Sequence, residues 1–252
     1  MKENFKPVAV QSPDKNPVHF ALRCIGDLQL LTIHRFLRPR LSSWNGRVLD
    51  IGAGASPWKS LMGREVDYCG IDTVAAGEFG MDNNPGITYY SGNRFPCTDD
   101  SFDAALCTEV LEHVPDADAL MGEIARVLRP GGTLVMTAPW SARLHHIPHD
   151  YARYSRFGLA SLLERHGFDI VSLLPRGNDF AAIANKMLVT WLRLLRPNNP
   201  IVLFATLPTA IITAPFIAAS LLIAHASMFL RLGSEEDPLG YGIEAIKRSQ
   251  HP

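Results

Sequence analysis

The sequence predicts an α/β fold built on a parallel sheet, and three observations support this prediction. Short apolar runs alternate with helical segments from residue 46 to residue 174. The first run ends in a glycine turn, Asp50-Ile51-Gly52-Ala53-Gly54. Hydrophobic residues make up 47% of the 252 residues, which is enough for one large core. Strands and helices that alternate at these lengths are typical of parallel α/β sheets.

The elements follow one another in a regular order along this core, predicted as residues 41–174. Strands are predicted at 47–51, 66–71, 87–90, 102–108, 133–138 and 168–174. Helices are predicted at 56–62, 118–128 and 158–165. Pro130 should end the second of these helices, with Gly131 and Gly132 in the turn that follows.

Composition excludes several classes of protein. The 24 basic and 25 acidic side chains give a net charge of −1, so no nucleic-acid partner is expected. None of the four cysteines is spaced as CxxC, which favours reduced thiols in a cytoplasmic protein. Residues 1–17 are expected to form a flexible tail, and they lack the apolar segment of a secretory signal.

Two segments outside the core are apolar. Residues 18–40 have the spacing of an amphipathic helix or helix pair ended by Pro39. Residues 175–235 form an apolar helical insertion, in which 201–230 contain no Asp, Glu, Lys or Arg. A final strand is expected at 239–246, within the closing segment 236–252.

The insertion predicts contact with a membrane. Its charge-free run is longer than the roughly 20 residues that cross a bilayer, but Pro208 and Pro215 should bend it. A single crossing would also place the final strand on the wrong side of the membrane. We therefore expect a helical hairpin that lies in one leaflet, with peripheral or monotopic contact through residues 180–232. A soluble cap and a homodimer interface are the alternatives.

The glycine turn predicts a cofactor with a positive group. Glycines let the backbone approach a ligand closely, but a turn that binds pyrophosphate begins with glycine rather than with an acid. Asp50 would repel a pyrophosphate and would suit the methionine end of S-adenosylmethionine. Asp72, 18 residues beyond Gly54, is placed to accept the ribose hydroxyls, although it could also be a helix cap.

The segment that follows resembles a known family. It contains Phe95-Pro96-Cys97-Thr98-Asp99-Asp100-Ser101-Phe102-Asp103, then Glu109-Val110-Leu111-Glu112-His113-Val114 and Leu128-Arg129-Pro130-Gly131-Gly132. These motifs resemble the type 11 group of class I S-adenosylmethionine-dependent methyltransferases, over about residues 46–174. The resemblance implies a seven-stranded Rossmann-like sheet, mostly parallel, whose last strand is antiparallel.

The same resemblance implies roles for particular residues. Asp50, Gly52 and Gly54 would line the methionine end, and Asp72 would hold the ribose. Asn93 follows the third strand and is the candidate for the adenine. Glu109 follows the fourth strand, where it would contact the cofactor or border the acceptor.

Residues 145–154 are the candidate acceptor loop, because in this fold the loop after the fifth strand faces the transferred methyl group. The loop contains three His, one Asp, two Tyr and one Arg. His146, His149 and His113 are the candidate general bases, since a histidine titrates near neutrality. Hydrogen bonds that pin a lid, or catalysis by proximity without a base, would also account for these residues. No metal is expected, because Pro148 prevents a regular helix between His145 and His149 and no further ligands are evident.

The predicted function is methyl transfer from S-adenosylmethionine to a small-molecule or lipid-linked acceptor at the inner face of the cell membrane. Two alternatives remain at this point: a catalytically silent cofactor-binding protein that anchors partners at a membrane, and a nicotinamide-dependent oxidoreductase.

Overall fold

The computed structural model describes residues 8–79, 84–197 and 199–249, and within them seven strands form one sheet. The strands are β1 (Gly46–Ile51), β2 (Val66–Thr73), β3 (Ile87–Tyr90), β4 (Phe102–Thr108), β5 (Leu128–Pro139), β6 (Phe168–Arg176) and β7 (Gly240–Lys247). Their order across the sheet is β3-β2-β1-β4-β5-β7-β6. β7 runs antiparallel to both of its neighbours, and the other pairs are parallel. This arrangement confirms the predicted fold class.

Six α-helices accompany the sheet in the described residues: α1 (Pro17–Gly26), α2 (Leu28–Leu41), α3 (Ala117–Val127), α4 (Arg156–Arg165), α5 (Asp179–Leu194) and α6 (Pro200–Leu230). Of the two predictions for residues 18–40, one helix or a helix pair, the structure shows the pair. They separate at Asp27, whose side chain caps α2 by accepting from the Leu30 N–H. Pro39 lies inside the last turn of α2 rather than ending it. Residues 1–7 of the predicted tail lie outside the described residues.

Two local predictions were wrong at the level of single elements. The helix predicted over 56–62 contains only a 3-10 turn, Lys59–Leu61. β5 begins at Leu128, five residues before its predicted start, because the chain stays in the sheet past Gly131 (φ +77°). A side chain at Gly132 would meet the Arg129 carbonyl at 2.8 Å, so glycine permits this bend.

Helices cover both faces of the sheet, as parallel strands require. Along β4, Ala105 and Cys107 belong to the core beneath α3 and α4, whereas Leu106 belongs to the core beneath α1 and α2. This alternation follows from the two-residue period of a strand. The α2 face is closely packed, because the Phe36 ring lies where a side chain at Gly242 would be.

Helices α5 and α6 form a hairpin whose two ends are joined at the sheet. Asn178 caps α5 by accepting from the Ala181 N–H, and its amide donates to the Leu232 carbonyl at 2.7 Å and to Ser227 Oγ at 3.1 Å. Further along, the indole N–H of Trp191 donates to the Ala210 carbonyl on α6 at 2.9 Å. The chain therefore leaves the sheet and returns to it at one place.

The outer surface of this hairpin is apolar and exposed. α6 contains a stretch long and apolar enough to cross a membrane, and only 11% of the apolar window that defines it is buried. Large side chains that are more than half exposed on α6 are Ile201, Phe204, Ile211, Ile212, Phe216, Leu222, Ile223, Phe229 and Leu230. A soluble cap would bury such side chains against its own domain, whereas the fold of the single chain leaves them exposed.

A glycine-to-alanine substitution in β7 tests the packing of α2 on the sheet, and a second one in α3 serves as its comparison. In Gly242→Ala the new methyl would lie 2.5 Å from the Phe36 ring, so we expect a loss of about 1–3 kcal/mol from overpacking. In Gly122→Ala, within α3, the nearest atom is 4.0 Å away, so the better helix former should stabilise the protein by up to about 1 kcal/mol. Urea unfolding of both variants measures the difference. Equal stabilities would contradict the close contact between Phe36 and β7.

Candidate cofactor site and acceptor loop

The carboxyl end of β1 places the predicted cofactor turn beside β4. Gly52 and Gly54 both have positive φ, +65° and +51°. A side chain at Gly52 would meet Val110 Cγ2 at 2.4 Å, so only glycine leaves the turn in this shape. At this turn a ligand can therefore approach the backbone closely, as the binding of a cofactor requires.

Asp50 is a buried carboxylate next to this turn. Its side chain is 3% exposed, and Oδ2 accepts a hydrogen bond from the Tyr68 hydroxyl at 2.7 Å. Burial raises the pKa of Asp50 to about 7; the Tyr68 hydrogen bond opposes this shift, and the nearby Asp72 carboxylate adds to it. A cation placed here would be stabilised by the ionised carboxylate, which fits the ammonium group of S-adenosylmethionine. Tyr68 was missed by sequence reasoning, because nothing in the pattern of β2 relates it to Asp50.

Asp72 closes the turn from the second strand. Its Oδ2 accepts from the Gly54 N–H at 2.9 Å, and its Oδ1 accepts from the Thr73 N–H at 2.7 Å. Burial raises its pKa, and these two backbone donors act in the opposite direction. Each carboxylate oxygen has a second lone pair, so the group can also accept ribose hydroxyls. Asp72 thus shapes the turn in addition to its predicted ligand role.

The candidate for the adenine contact is Asn93. Asn93 is exposed in the loop after β3, and no hydrogen bond of the described residues joins it to Gly54. Asn84 does contact the turn, because its amide nitrogen lies 3.5 Å from the Gly54 carbonyl. Sequence reasoning did not single out Asn84, since it precedes β3 rather than following it.

Glu109 follows β4 and is held by a buried arginine. Its backbone has φ +53°, and Oε1 accepts from Arg176 Nη2 at 2.8 Å. Arg176 is 3% exposed and also donates to the Tyr241 carbonyl at 3.2 Å. A side chain at Gly240 would overlap Arg176 Nη2, so only glycine at this position leaves room for the guanidinium that pairs with Glu109.

Two of the three candidate bases, His113 and His146, lie close together, and His145 lies beside both of them. The imidazole rings of His113, His145 and His146 lie 4.7–5.3 Å apart between centroids, although His113 is distant in sequence. His149 is placed differently. Its ring Nδ1 lies 3.4 Å from the Tyr151 hydroxyl, and its carbonyl accepts from the His113 Nδ1–H at 2.6 Å.

Glu112 lies at the base of this histidine cluster and was not singled out from the sequence. It is 1% exposed, and within the described residues neither carboxylate oxygen has a hydrogen-bond partner. Burial raises the pKa of Glu112 well above its usual range, with the charge of Glu109 acting in the same direction. Burial also lowers the pKa of His113 and of His145, so both imidazoles favour the neutral form.

The acceptor loop is clamped by its own charges. Arg153 pairs with Asp150 through both carboxylate oxygens, with Nη2 at 2.8 Å from Oδ2. The His145 N–H donates to Asp150 at 2.9 Å. Although burial raises the pKa of Asp150, the bonds from Arg153 and the His145 N–H lower it overall. The loop is also tied to the end of β4, because the Tyr151 N–H donates to the Glu112 carbonyl at 2.8 Å.

Comparison with known proteins assigns the chain to a family. A family model described as a methyltransferase domain matches residues 27–173, which is more than half of the chain. The chain belongs to the methyltransferase-domain family. This membership confirms the predicted resemblance to class I methyltransferases and S-adenosylmethionine as the cofactor, and it argues against the nicotinamide alternative.

Individual relatives of this methyltransferase support the same assignment. A ubiquinone biosynthesis O-methyltransferase from Xanthomonas oryzae pv. oryzae is 31% identical over 175 residues, which covers 63% of this chain and 65% of the relative. The match thus spans just under two thirds of that relative's length. Among solved structures, a putative sarcosine dimethylglycine methyltransferase from Galdieria sulphuraria has a TM-score of 0.51 at 18% identity, over 96% of this chain and 92% of that one. The [4+2]-cyclase SpnF has a TM-score of 0.50 at 17% identity, over 98% and 99%. These structural likenesses concern the fold.

The assignment of Asp50 to the cofactor leads to a pH-dependent prediction. Below about pH 7 the raised pKa keeps the Asp50 carboxyl neutral, so the form that attracts a cation is depleted. S-adenosylmethionine should therefore bind more tightly as pH rises through 7, by up to about tenfold per unit below the pKa. In Asp50→Asn the affinity should fall by about tenfold or more at pH 8, and its pH dependence should flatten. Calorimetric titration at several pH values measures both effects.

Asp67→Asn is the matched control, because the Asp67 side chain lies on the neighbouring β2 and is 76% exposed. Its affinity should equal that of the unmodified protein. If Asp50→Asn binds the cofactor as tightly as Asp67→Asn, the carboxylate assignment is wrong.

Proposed function

We propose that the protein transfers a methyl group from S-adenosylmethionine to a small-molecule or lipid-linked acceptor at the inner face of the cell membrane. The observation that carries the proposal is the position of the exposed hairpin. Its root, Asn178, lies two residues beyond Arg176, which in turn contacts Glu109 beside the cofactor turn. The apolar surface and the acceptor side of the sheet are therefore adjacent.

The chemistry needs a positioned nucleophile and little else from the protein. The cofactor supplies the reactive methyl group, so the chain must orient the acceptor and remove its proton. His146 and His149 lie in the acceptor loop and the His113 ring packs against that of His146, so each can meet an acceptor bound there, and an imidazole is a suitable general base. An oxygen acceptor, such as a phenol or an acid, suits a base of this type.

The relatives favour an acceptor with a hydrophobic part. The Xanthomonas oryzae relative is named a ubiquinone biosynthesis O-methyltransferase, so by its name it methylates an oxygen atom. An acceptor of this kind combines a polar ring with an apolar tail. Such a molecule would lie in a membrane with its reactive end at the surface, where the apolar hairpin would hold the enzyme.

The geometry of the hairpin favours insertion into one leaflet. α5 has 16 residues and α6 has 31, or about 24 Å and 46 Å at 1.5 Å per residue. Both ends return to the sheet at Asn178, so a crossing by α6 alone would separate them. A crossing by α5 would bury Lys186 and Arg193, at about 2.5–3.5 kcal/mol each at the centre of a membrane. An interfacial position keeps both charges at the surface.

Labelled cofactor tests the acceptor class. The purified protein, methyl-labelled S-adenosylmethionine and a cell extract separated into lipid and aqueous fractions are incubated together. We expect label in the lipid fraction, because the proposed acceptor has an apolar tail. The same extract and labelled cofactor without the purified protein control for enzymes already present in the extract. Label only in the aqueous fraction would contradict a lipid-linked acceptor, and label in neither would contradict the methyltransferase activity.

Flotation with anionic vesicles tests the membrane contact. Phe204→Ser removes a side chain that is 84% exposed on α6, and binding should fall by about ten- to a hundredfold, as expected for the loss of about 1.5–3 kcal/mol. Phe157→Ser is the matched control, because Phe157 is 78% exposed on α4, outside the hairpin. Its binding should not change.

A different result would assign the apolar face to another partner. Failure of the unmodified protein to float, together with a dimer in sedimentation that Phe204→Ser dissociates, would identify a homodimer interface instead of a membrane contact.

A further inference from the structure

The histidine cluster has the arrangement of a metal site. His113, His145 and His146 each offer one ring nitrogen, and these three atoms lie within 4.8 Å of one another. They come from two separate loops, one after β4 and one after β5. In a tetrahedral Zn²⁺ site with bonds of about 2.0–2.1 Å, ligand atoms are about 3.4 Å apart. The nitrogens would have to approach one another by up to about 1.4 Å to reach that distance.

In two of the three rings, those of His113 and His145, Nδ1 already donates a hydrogen bond, as is usual in histidines that bind a metal through Nε2. The His113 Nδ1–H donates to the His149 carbonyl at 2.6 Å. The His145 Nδ1–H donates to the Arg143 carbonyl at 3.1 Å and lies 3.2 Å from Asp150 Oδ2. A histidine that ligates a metal almost always donates its other N–H to a carbonyl or carboxylate, which fixes the tautomer and the ring orientation. In both residues Nε2 is thereby the unprotonated nitrogen, which is the one that can bind a metal.

A carboxylate faces the same two nitrogens. Glu112 Oε1 lies 3.6 Å from His113 Nε2 and 3.9 Å from His145 Nε2. These distances are too long for hydrogen bonds and close to the separation of two ligands of one ion. Glu112 is 1% exposed, and neither of its oxygens has a hydrogen-bond partner within the described residues. A buried carboxylate without partners requires a proton or a cation.

We propose that His113, His145 and His146, with Glu112 as the fourth ligand, bind a divalent transition-metal ion, for which Zn²⁺ is the best fit. Three imidazoles and one carboxylate are a donor set that suits Zn²⁺ better than Mg²⁺ or Ca²⁺, which prefer oxygen. The ion would join the loop after β4 to the acceptor loop. It would also occupy the ring nitrogens of His113 and His146, so that His149 becomes the candidate base of the loaded protein.

This inference goes beyond the proposed function and does not depend on it, because metal binding is measured without cofactor or acceptor. The full-length protein, stripped with a chelator, is titrated with ZnCl₂ by calorimetry. We expect one ion per chain with a submicromolar Kd. Co²⁺ in place of Zn²⁺ should give the visible absorption of a tetrahedral site.

Three substitutions define the ligands. His113→Gln and His145→Gln should each weaken Zn²⁺ binding by at least tenfold. Glu112→Gln keeps the size of the side chain and removes its charge, so it should weaken Zn²⁺ binding by at least tenfold as well. Without metal, Glu112→Gln should be at least as stable as the unmodified protein, because it no longer buries an unpaired carboxylate. A purely structural glutamate would lower stability on substitution and leave Zn²⁺ affinity unchanged.

His166→Gln is the matched control. Its ring bonds to Asp118 at 2.8 Å on α3, outside the cluster, so its Zn²⁺ affinity should not change. Circular dichroism checks that each variant is folded, and the Co²⁺ spectrum of the unmodified protein gives evidence that needs no variant. The proposal is overturned if the unmodified protein binds no Zn²⁺ at micromolar concentration, or if folded His113→Gln and His145→Gln retain full affinity.

Discussion

The ion pair between Arg176 and Glu109 joins the parts of the molecule that make up the site. Arg176 ends β6 and is almost completely buried, and its guanidinium reaches Glu109 after β4 at 2.8 Å. It also donates to the Tyr241 carbonyl on β7 and to the Thr32 hydroxyl on α2. Burial lowers the pKa of Arg176, and the charges of Glu109 and Glu112 oppose that shift. Loss of one partner from such a pair typically costs about 3–5 kcal/mol, because it leaves the other charge buried and uncompensated.

The pair also orders the space around the cofactor turn. Glu109 has left-handed backbone geometry directly after β4, and its neighbour Val110 packs over Gly52. A few residues further, Glu112 and His113 meet the acceptor loop through backbone and ring contacts. One short segment after β4 therefore contacts the cofactor turn on one side and the acceptor loop on the other. This is the switch region where open α/β sheets bind their ligands.

The hairpin of α5 and α6 begins directly after β6, at the end of the strand where Arg176 lies. Asn178 follows Arg176 by two residues and holds the start of α5 to the end of α6. An exposed apolar helix has an unfavourable free energy in water, at about 25 cal/mol per Å² of apolar surface, so a membrane or a partner protein should cover it. The hairpin begins at Asn178, two residues after Arg176, which contacts Glu109. A membrane or a partner protein that covers the hairpin would therefore lie near the segment after β4.

The sequence by itself determined the elements that local pattern encodes. The alternation of strands and helices, the glycine turn after β1 and the acidic ends of β1 and β2 are readable because each depends on neighbouring residues. Tertiary structure decided the contacts between distant segments. Arg176 and Glu109 are 67 residues apart, and His113 meets His145 and His146 only because β4 and β5 are adjacent. Exposure of α6 was likewise undetermined, since an apolar run has the same composition whether it is buried in a core or faces a membrane.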